Sequence, residues 1–177
     1  IVGVCASEKP RPIDGSYMPV FTVGLNAGKL ISAMHNCPFF ETTHQENHIK
    51  SSLLGKNLLN ENRFLAVHMS GGTTEIILAN KKNSNDYELE IIGGTKDISF
   101  GQLIDRLGVK LSYDFPCGKY IDENALKSDI KIENGLKTSV KEGYMNLSGI
   151  ENQLDKIMKD NKNIDKYYLS KLLMDTI

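Results

Sequence analysis

The chain has 177 residues, a formal net charge of −1 and a pI near 6.5. That length allows one domain of ordinary size with a sizeable core. The charge balance excludes a global field that would advertise nucleic acid or membrane binding, so an RNA partner would need a local basic patch or another subunit.

Cys5, Cys37 and Cys117 are an odd number without metal-finger spacing, a pattern expected of a reducing, cytoplasmic setting. No apolar run reaches bilayer length, so no membrane partner is expected. The chain opens inside a strand-like run without an initiator methionine, as expected of a fragment or a processed chain.

Residues 1–6 are short, apolar and β-branched, and predict a buried strand. Pro10, Pro12 and Gly15 punctuate the segment after it. A helix is predicted over 18–34, with Pro19 in its first turn and Val20, Val23, Leu25, Ala27, Leu30, Ile31 and Met34 on its apolar face. Asn36-Cys37-Pro38 stops it. A short strand over 39–43 then delivers a helix from His44 to about Leu59, capped by Thr42 or Thr43, with Ile49, Leu53, Leu54 and Leu58 as its buried stripe. This β-α-β-α order favours an α/β architecture with helices packed on a mixed sheet.

His44 and His48 stand four apart, so on a helix they share a face and can converge on one metal ion. Taken alone, such a pair is also simply a polar helix face. Zincin-type proteolysis needs a glutamate directly after the first histidine. Gln45 stands there and cannot act as a general base, which argues against that chemistry.

The run 64–69 has the composition of a buried strand and breaks into Ser70-Gly71-Gly72-Thr73-Thr74 before a second strand over 75–80. Such a turn is either an ordinary hairpin or a close backbone approach to phosphate, with hydroxyls on both sides. His68, on the first strand, reads as a packing residue. A third strand over 87–92 completes a meander. Gly93-Gly94-Thr95 leads into a helix over 98–110 carrying Asp105, which by itself reads as a solvated carboxylate. Residues 127–142 are polar and weakly patterned. Residues 144–150 read as a strand entering a helix, with helices over 150–158 and 167–177.

In this order the motifs resemble the TsaD/Gcp family, once called O-sialoglycoprotein endopeptidases or glycoproteases, within the actin-like (sugar kinase and heat-shock ATPase) superfamily. The matching elements are His44…His48, Ser70-Gly71-Gly72-Thr73-Thr74, Gly93-Gly94-Thr95, Gly101-Gln102-Leu103-Ile104-Asp105 and Tyr113-Asp114-Phe115-Pro116-Cys117-Gly118. The resemblance is specific over roughly 1–122. It departs at Ile98 for aspartate, Gln102 for glutamate, Thr73 for histidine, and Cys117-Gly118-Lys119 for Gly-Gly-Pro. The family's later adenosine contact and aspartate metal ligand find no match.

The resemblance implies an incomplete actin-like ATPase-type α/β fold. Residues 1–62 would close an N-terminal lobe, and 63–177 would open a second. It implies transfer of threonylcarbamoyl from an adenylate to N6 of adenosine in tRNA. A non-catalytic paralogue that binds nucleotide or a partner is the alternative, and a metal-dependent glycoprotease is the least supported reading.

His44 and His48 would be metal ligands, for iron or zinc, with Mg2+ a further option. Ser70, Gly71, Gly72 and Thr73 would bind phosphate or acyl oxygens, while Asp105, Gly118 and Asp122 would line the ribose of ATP or an adenylate. The partners implied are threonylcarbamoyl-adenylate or another nucleotide, tRNA, and a TsaB-like subunit.

Overall fold

The computed structural model describes residues 1–55, 61–83 and 86–177. They form two compact units, Ile1–Phe64 with Asn80–Leu89, and Leu65–Ala79 with Glu90–Ile177.

The first unit is a β-α-β-α succession. Strand β1 (Val4–Lys9) pairs in parallel with β2 (Phe39–Thr43), and helix α1 (Pro19–His35) makes the crossover that parallel strands require. The strand runs to Lys9, further than residues 1–6, and its register shifts between Ser7 and Lys9. Pro19 opens α1, and Asn36 closes it in the left-handed conformation with its N–H bonded to Ser32 and Ala33.

The buried face of α1 differs from the predicted one. Gly28 and Ser32 are buried, whereas Val20, Val23, Leu30, Ile31 and Met34 are exposed, Val23 at 71% and Met34 at 74%. The reason is close packing: a Cβ on Gly28 would lie 2.8 Å from the Phe39 ring and 3.3 Å from the Ala6 side chain. The helix lies on β1 and β2 through its small residues, which turns its large apolar residues outward.

Helix α2 (His44–Leu53) begins at a reciprocal cap: Thr43 Oγ accepts from Glu46 N–H, and the Glu46 carboxylate accepts from Thr43 N–H at 2.7 Å. Ile49 and Leu53 are buried as expected, but Leu54 is exposed and lies beyond the helix end. Leu58 and Leu59 fall outside the described residues. Lys50 pairs with Asp86 at 3.2 Å, and Phe64 meets Tyr87 edge to face at 5.0 Å.

A mixed sheet has the order β3-β4-β5-β7-β6, the strands being β3 (Arg63–Met69), β4 (Thr74–Asn83), β5 (Asp86–Thr95), β6 (Val140–Lys141) and β7 (Tyr144–Met145). The second unit holds β6, β7 and the parts of β3, β4 and β5 within Leu65–Ala79 and Glu90–Ile177. The four-residue connection between β3 and β4 leaves only antiparallel pairing. Strand β5 pairs in parallel with β7, and β6 is antiparallel to β7.

Helices α3 (Phe100–Lys110), α4 (Gly118–Lys127), α5 (Ser148–Asp160) and α6 (Lys166–Met174) supply the core. Leu103, Leu107, Ile121, Leu147, Ile150, Leu154, Leu169, Leu172 and Leu173 form one buried cluster. The chain is thus α/β with a mixed sheet. No helix among the described residues is long and apolar enough to cross a membrane.

Candidate functional site

In the first unit, the cap at Thr43 fixes where α2 starts and therefore puts His44 in its first turn. Ile49 and Leu53 anchor one side, and Gln45 on that side is 2% exposed, its N–H donating to the Pro10 carbonyl at 3.0 Å. The opposite side carries His44 and His48, both exposed. Their Nε2 atoms approach to 3.0 Å, and Phe21 lies against the His44 ring at 5.6 Å between centroids.

That separation is less than two metal–nitrogen bonds of about 2.0–2.1 Å, so both nitrogens can bond one ion. The pair suits a divalent metal as two of its ligands. Among the described residues no group of three His, Cys, Asp or Glu is placed to hold one. Glu41, on the strand before the histidine helix, is engaged with Lys29 at 2.9 Å. Glu46 serves the helix cap.

In the second unit, Ser70–Thr73 is a tight turn. Ser70 N–H donates to the Thr73 carbonyl at 2.8 Å, and Ser70 Oγ accepts from Thr73 N–H at 3.0 Å. The turn rests on the start of α3. Ser99 Oγ donates to Gly71 O at 2.7 Å, and Phe100 N–H donates to Thr74 Oγ1 at 3.0 Å. Because a trans peptide aims its C=O and N–H in opposite directions, the Gly72 N–H points away from the helix, and it donates to Ser70 Oγ at 3.4 Å. Both turn glycines are exposed, with open space where a Cβ would stand. Gly101 is different: a Cβ there would sit 2.6 Å from Gly71 Cα and 2.8 Å from Ser70 O.

Asp105 is not merely solvated. Its Oδ1 accepts from Cys117 N–H at 2.7 Å and so fixes the start of α4. Cys117 is fully buried, and burial raises its thiol pKa. Gly118 is the first residue of α4, with open space around its Cα, and Asp122 is exposed one turn on. Asp105 and Gly118 thus lie at the start of α4, with Asp122 one turn along the same helix. His68 is half-buried, its Nδ1 3.9 Å from Glu75 Oε2.

A model of the family described as TsaD, tRNA N6-adenosine threonylcarbamoyltransferase, matches residues 2–170. The chain belongs to this family. It is 36% identical over 109 residues to the tRNA N6-adenosine threonylcarbamoyltransferase of Thermotoga neapolitana, covering 62% of this chain and 32% of that protein. It is 35% identical over 103 residues to that of Lactiplantibacillus plantarum, covering 58% and 28%. With the Nostoc punctiforme protein the identity is 33% over 127 residues, covering 72% and 34%. The chain thus spans about a third of the length of these curated relatives.

Two residues at or beside positions where this TsaD family member departs from the family's pattern, Gln102 and Asp97, bond backbone N–H groups. Gln102, in place of glutamate, accepts from Ser99 N–H through Oε1 at 2.9 Å, while its own N–H donates to Ser99 Oγ at 3.1 Å. That reciprocal cap was readable as Ser-x-x-Gln. Asp97, which precedes Ile98 where the family has a second aspartate, accepts from Ile98, Leu147 and Ser148 N–H at 2.7–2.9 Å. Burial pushes its pKa up, but the bonds from Ser148, Leu147 and Ile98 outweigh this and bring it to about 2. Sequence reasoning missed Ser99 and Thr74 as supports of the turn, although both are hydroxyls flanking glycine motifs.

Proposed function

We propose that the protein is part of a tRNA N6-adenosine threonylcarbamoyltransferase with an actin-like ATPase-type fold, working in the cytoplasm with a TsaB-like partner. The observation that carries this reading is the convergence of His44 and His48 Nε2 to 3.0 Å in a chain of this family. In the reaction, adenosine N6 bonds to the carbamoyl carbon, the carbon–oxygen bond to the adenylate breaks, AMP leaves and N6 loses a proton.

His44 and His48 would hold a divalent metal, which supplies a Lewis acid for an acyl or phosphoryl oxygen. The residues Ser70, Gly71, Gly72 and Thr73 would donate N–H and hydroxyl groups to oxygens of ATP or threonylcarbamoyl-adenylate. For these, Ser70 Oγ must release the Gly72 and Thr73 N–H groups it now accepts from, and Ser70 N–H must leave the Thr73 carbonyl. Asp105 and Asp122 are acceptors for ribose hydroxyls, and Gly118 lets a ligand approach the start of α4. No residue is assigned as nucleophile, so positioning carries the step.

The test is transfer of labelled threonylcarbamoyl to tRNA by the full protein, with and without added metal. Transfer that depends on metal and falls at least about tenfold in His48→Ala supports the reading. Gln102 and Thr73, which replace charged or titratable residues of the family, favour a second reading, a nucleotide-binding paralogue. It predicts that ATP raises Tm by mass action while transfer stays at background with every metal.

A further inference from the structure

A pocket of about 420 Å³ opens in the second unit between the 137–139 segment, β6, β7 and the start of α5. Lys96, Lys137 and Lys141 line it together with Thr138, Ser139 and Asn146, and no carboxylate does. None of the three lysines enters an ion pair among the described residues. Three like charges around one cavity repel one another and cost free energy until an anion joins them.

The backbone beneath each lysine is anchored. Lys96 N–H donates to Met145 O at 3.0 Å. Lys137 is bracketed by Gln153, which accepts from its N–H and donates to its carbonyl, both at 2.9 Å. Lys141 pairs with Tyr144 across the β6–β7 hairpin. The hairpin turns through Glu142 and Gly143 with φ of 53° and 80°, the two positive values of a type I′ loop.

The start of α5 adds little charge of its own, because Leu147 and Ser148 N–H already bond the Asp97 carboxylate. The positive field therefore comes from the lysines.

We propose that this pocket binds backbone phosphates of RNA, and that it is a contact for the tRNA substrate; this rests on the transferase reading above. Flexible ammoniums, two hydroxyls and a carboxamide read charge rather than base identity. Tyr144 is the aromatic residue of the lining, and Lys96 Nζ lies over its ring at 5.1 Å, in competition with any base that would stack there. That disfavours a nucleotide held by its base.

The experiment compares the full protein with a Lys96→Gln/Lys137→Gln/Lys141→Gln variant and with the corresponding triple arginine variant. All three lysines are exposed, so both variants should fold. Expected in the glutamine variant is at least about tenfold weaker tRNA binding near physiological salt, with a salt-dependence slope shallower by about two to three. Its KM for tRNA in transfer should rise while kcat holds. ATP should raise Tm as in the parent, and the arginine variant should keep both tRNA affinity and slope.

Unchanged tRNA affinity and slope in the glutamine variant would overturn the pocket while leaving the transferase reading intact, provided transfer persists. Loss of ATP stabilisation would reassign the pocket to nucleotide phosphates and overturn the RNA contact. An arginine variant as weak as the glutamine one would mean a structural role and overturn it as well. If the parent neither binds nor modifies tRNA, both the pocket and the transferase reading fall.

Discussion

Ser99 Oγ donates to the Gly71 carbonyl at 2.7 Å while accepting from Gln102 N–H at 3.1 Å. One hydroxyl thus caps α3 and fixes the orientation of the central peptide in the glycine turn. Ser99→Ala should cost about 1 kcal/mol, read as a Tm lower by roughly 2–4 °C. It should also weaken ATP stabilisation more than a surface cap removal such as Asp165→Ala at α6 does. Equal ATP responses in the two variants would show that the turn holds its geometry without Ser99.

Gly101→Ala discriminates between propensity and packing. Alanine is worth up to about 1 kcal/mol over glycine inside a helix. Here its Cβ would meet the Gly71 backbone at 2.6 Å, and overpacking of this kind costs about 1–3 kcal/mol. The contact should win, and thermal melting should show a lower Tm. A higher Tm would mean that the turn yields.

The histidine pair supplies two protein ligands where open metal sites normally have three. Elemental analysis after mild chelation should therefore find well under one metal per chain. His48→Gln should abolish what remains. Stoichiometric metal that resists chelation would require a further ligand, with Glu41→Gln the first substitution to make.

Asp97 gives an acid-limb prediction. Its folded pKa of about 2 lies below the ordinary 3.8. The carboxylate's contribution is then fully present above about pH 4 and is lost as pH falls toward 2. Asp97→Ala should lower stability at neutral pH by about 1 kcal/mol and flatten the loss between pH 4 and 2 in denaturant titrations. A variant whose acid limb keeps the parent's slope would show that other carboxylates govern it.

Local punctuation made much of the fold legible. Pro19, Asn36-Cys37-Pro38 and Thr43 with Glu46 mark helix ends through bonds made within a few residues, and those ends lie close to where they were expected, whereas α2 stops at Leu53 rather than near Leu59. The histidine pair was legible for the same reason, since i,i+4 spacing is a property of one helix.

What escaped depends on partners distant in sequence. The Asp97 carboxylate meets Leu147 and Ser148 fifty residues on, and Gly101 is small because Gly71 lies against it. The outward face of α1 escaped because apolar periodicity marks a stripe without saying that Gly28 and Ser32 offer a closer fit.

Gln102 shows how the chain can differ from its relatives without being rebuilt. The carboxamide makes the bond to Ser99 N–H that a carboxylate would make, so exchanging one for the other alters formal charge at an exposed position and leaves the helix start standing. Glutamine and glutamate codons differ by a single base, which makes this among the shortest evolutionary steps available to the protein. The electrostatics beside the glycine turn can therefore drift, or revert, on a scaffold that selection for folding hardly notices.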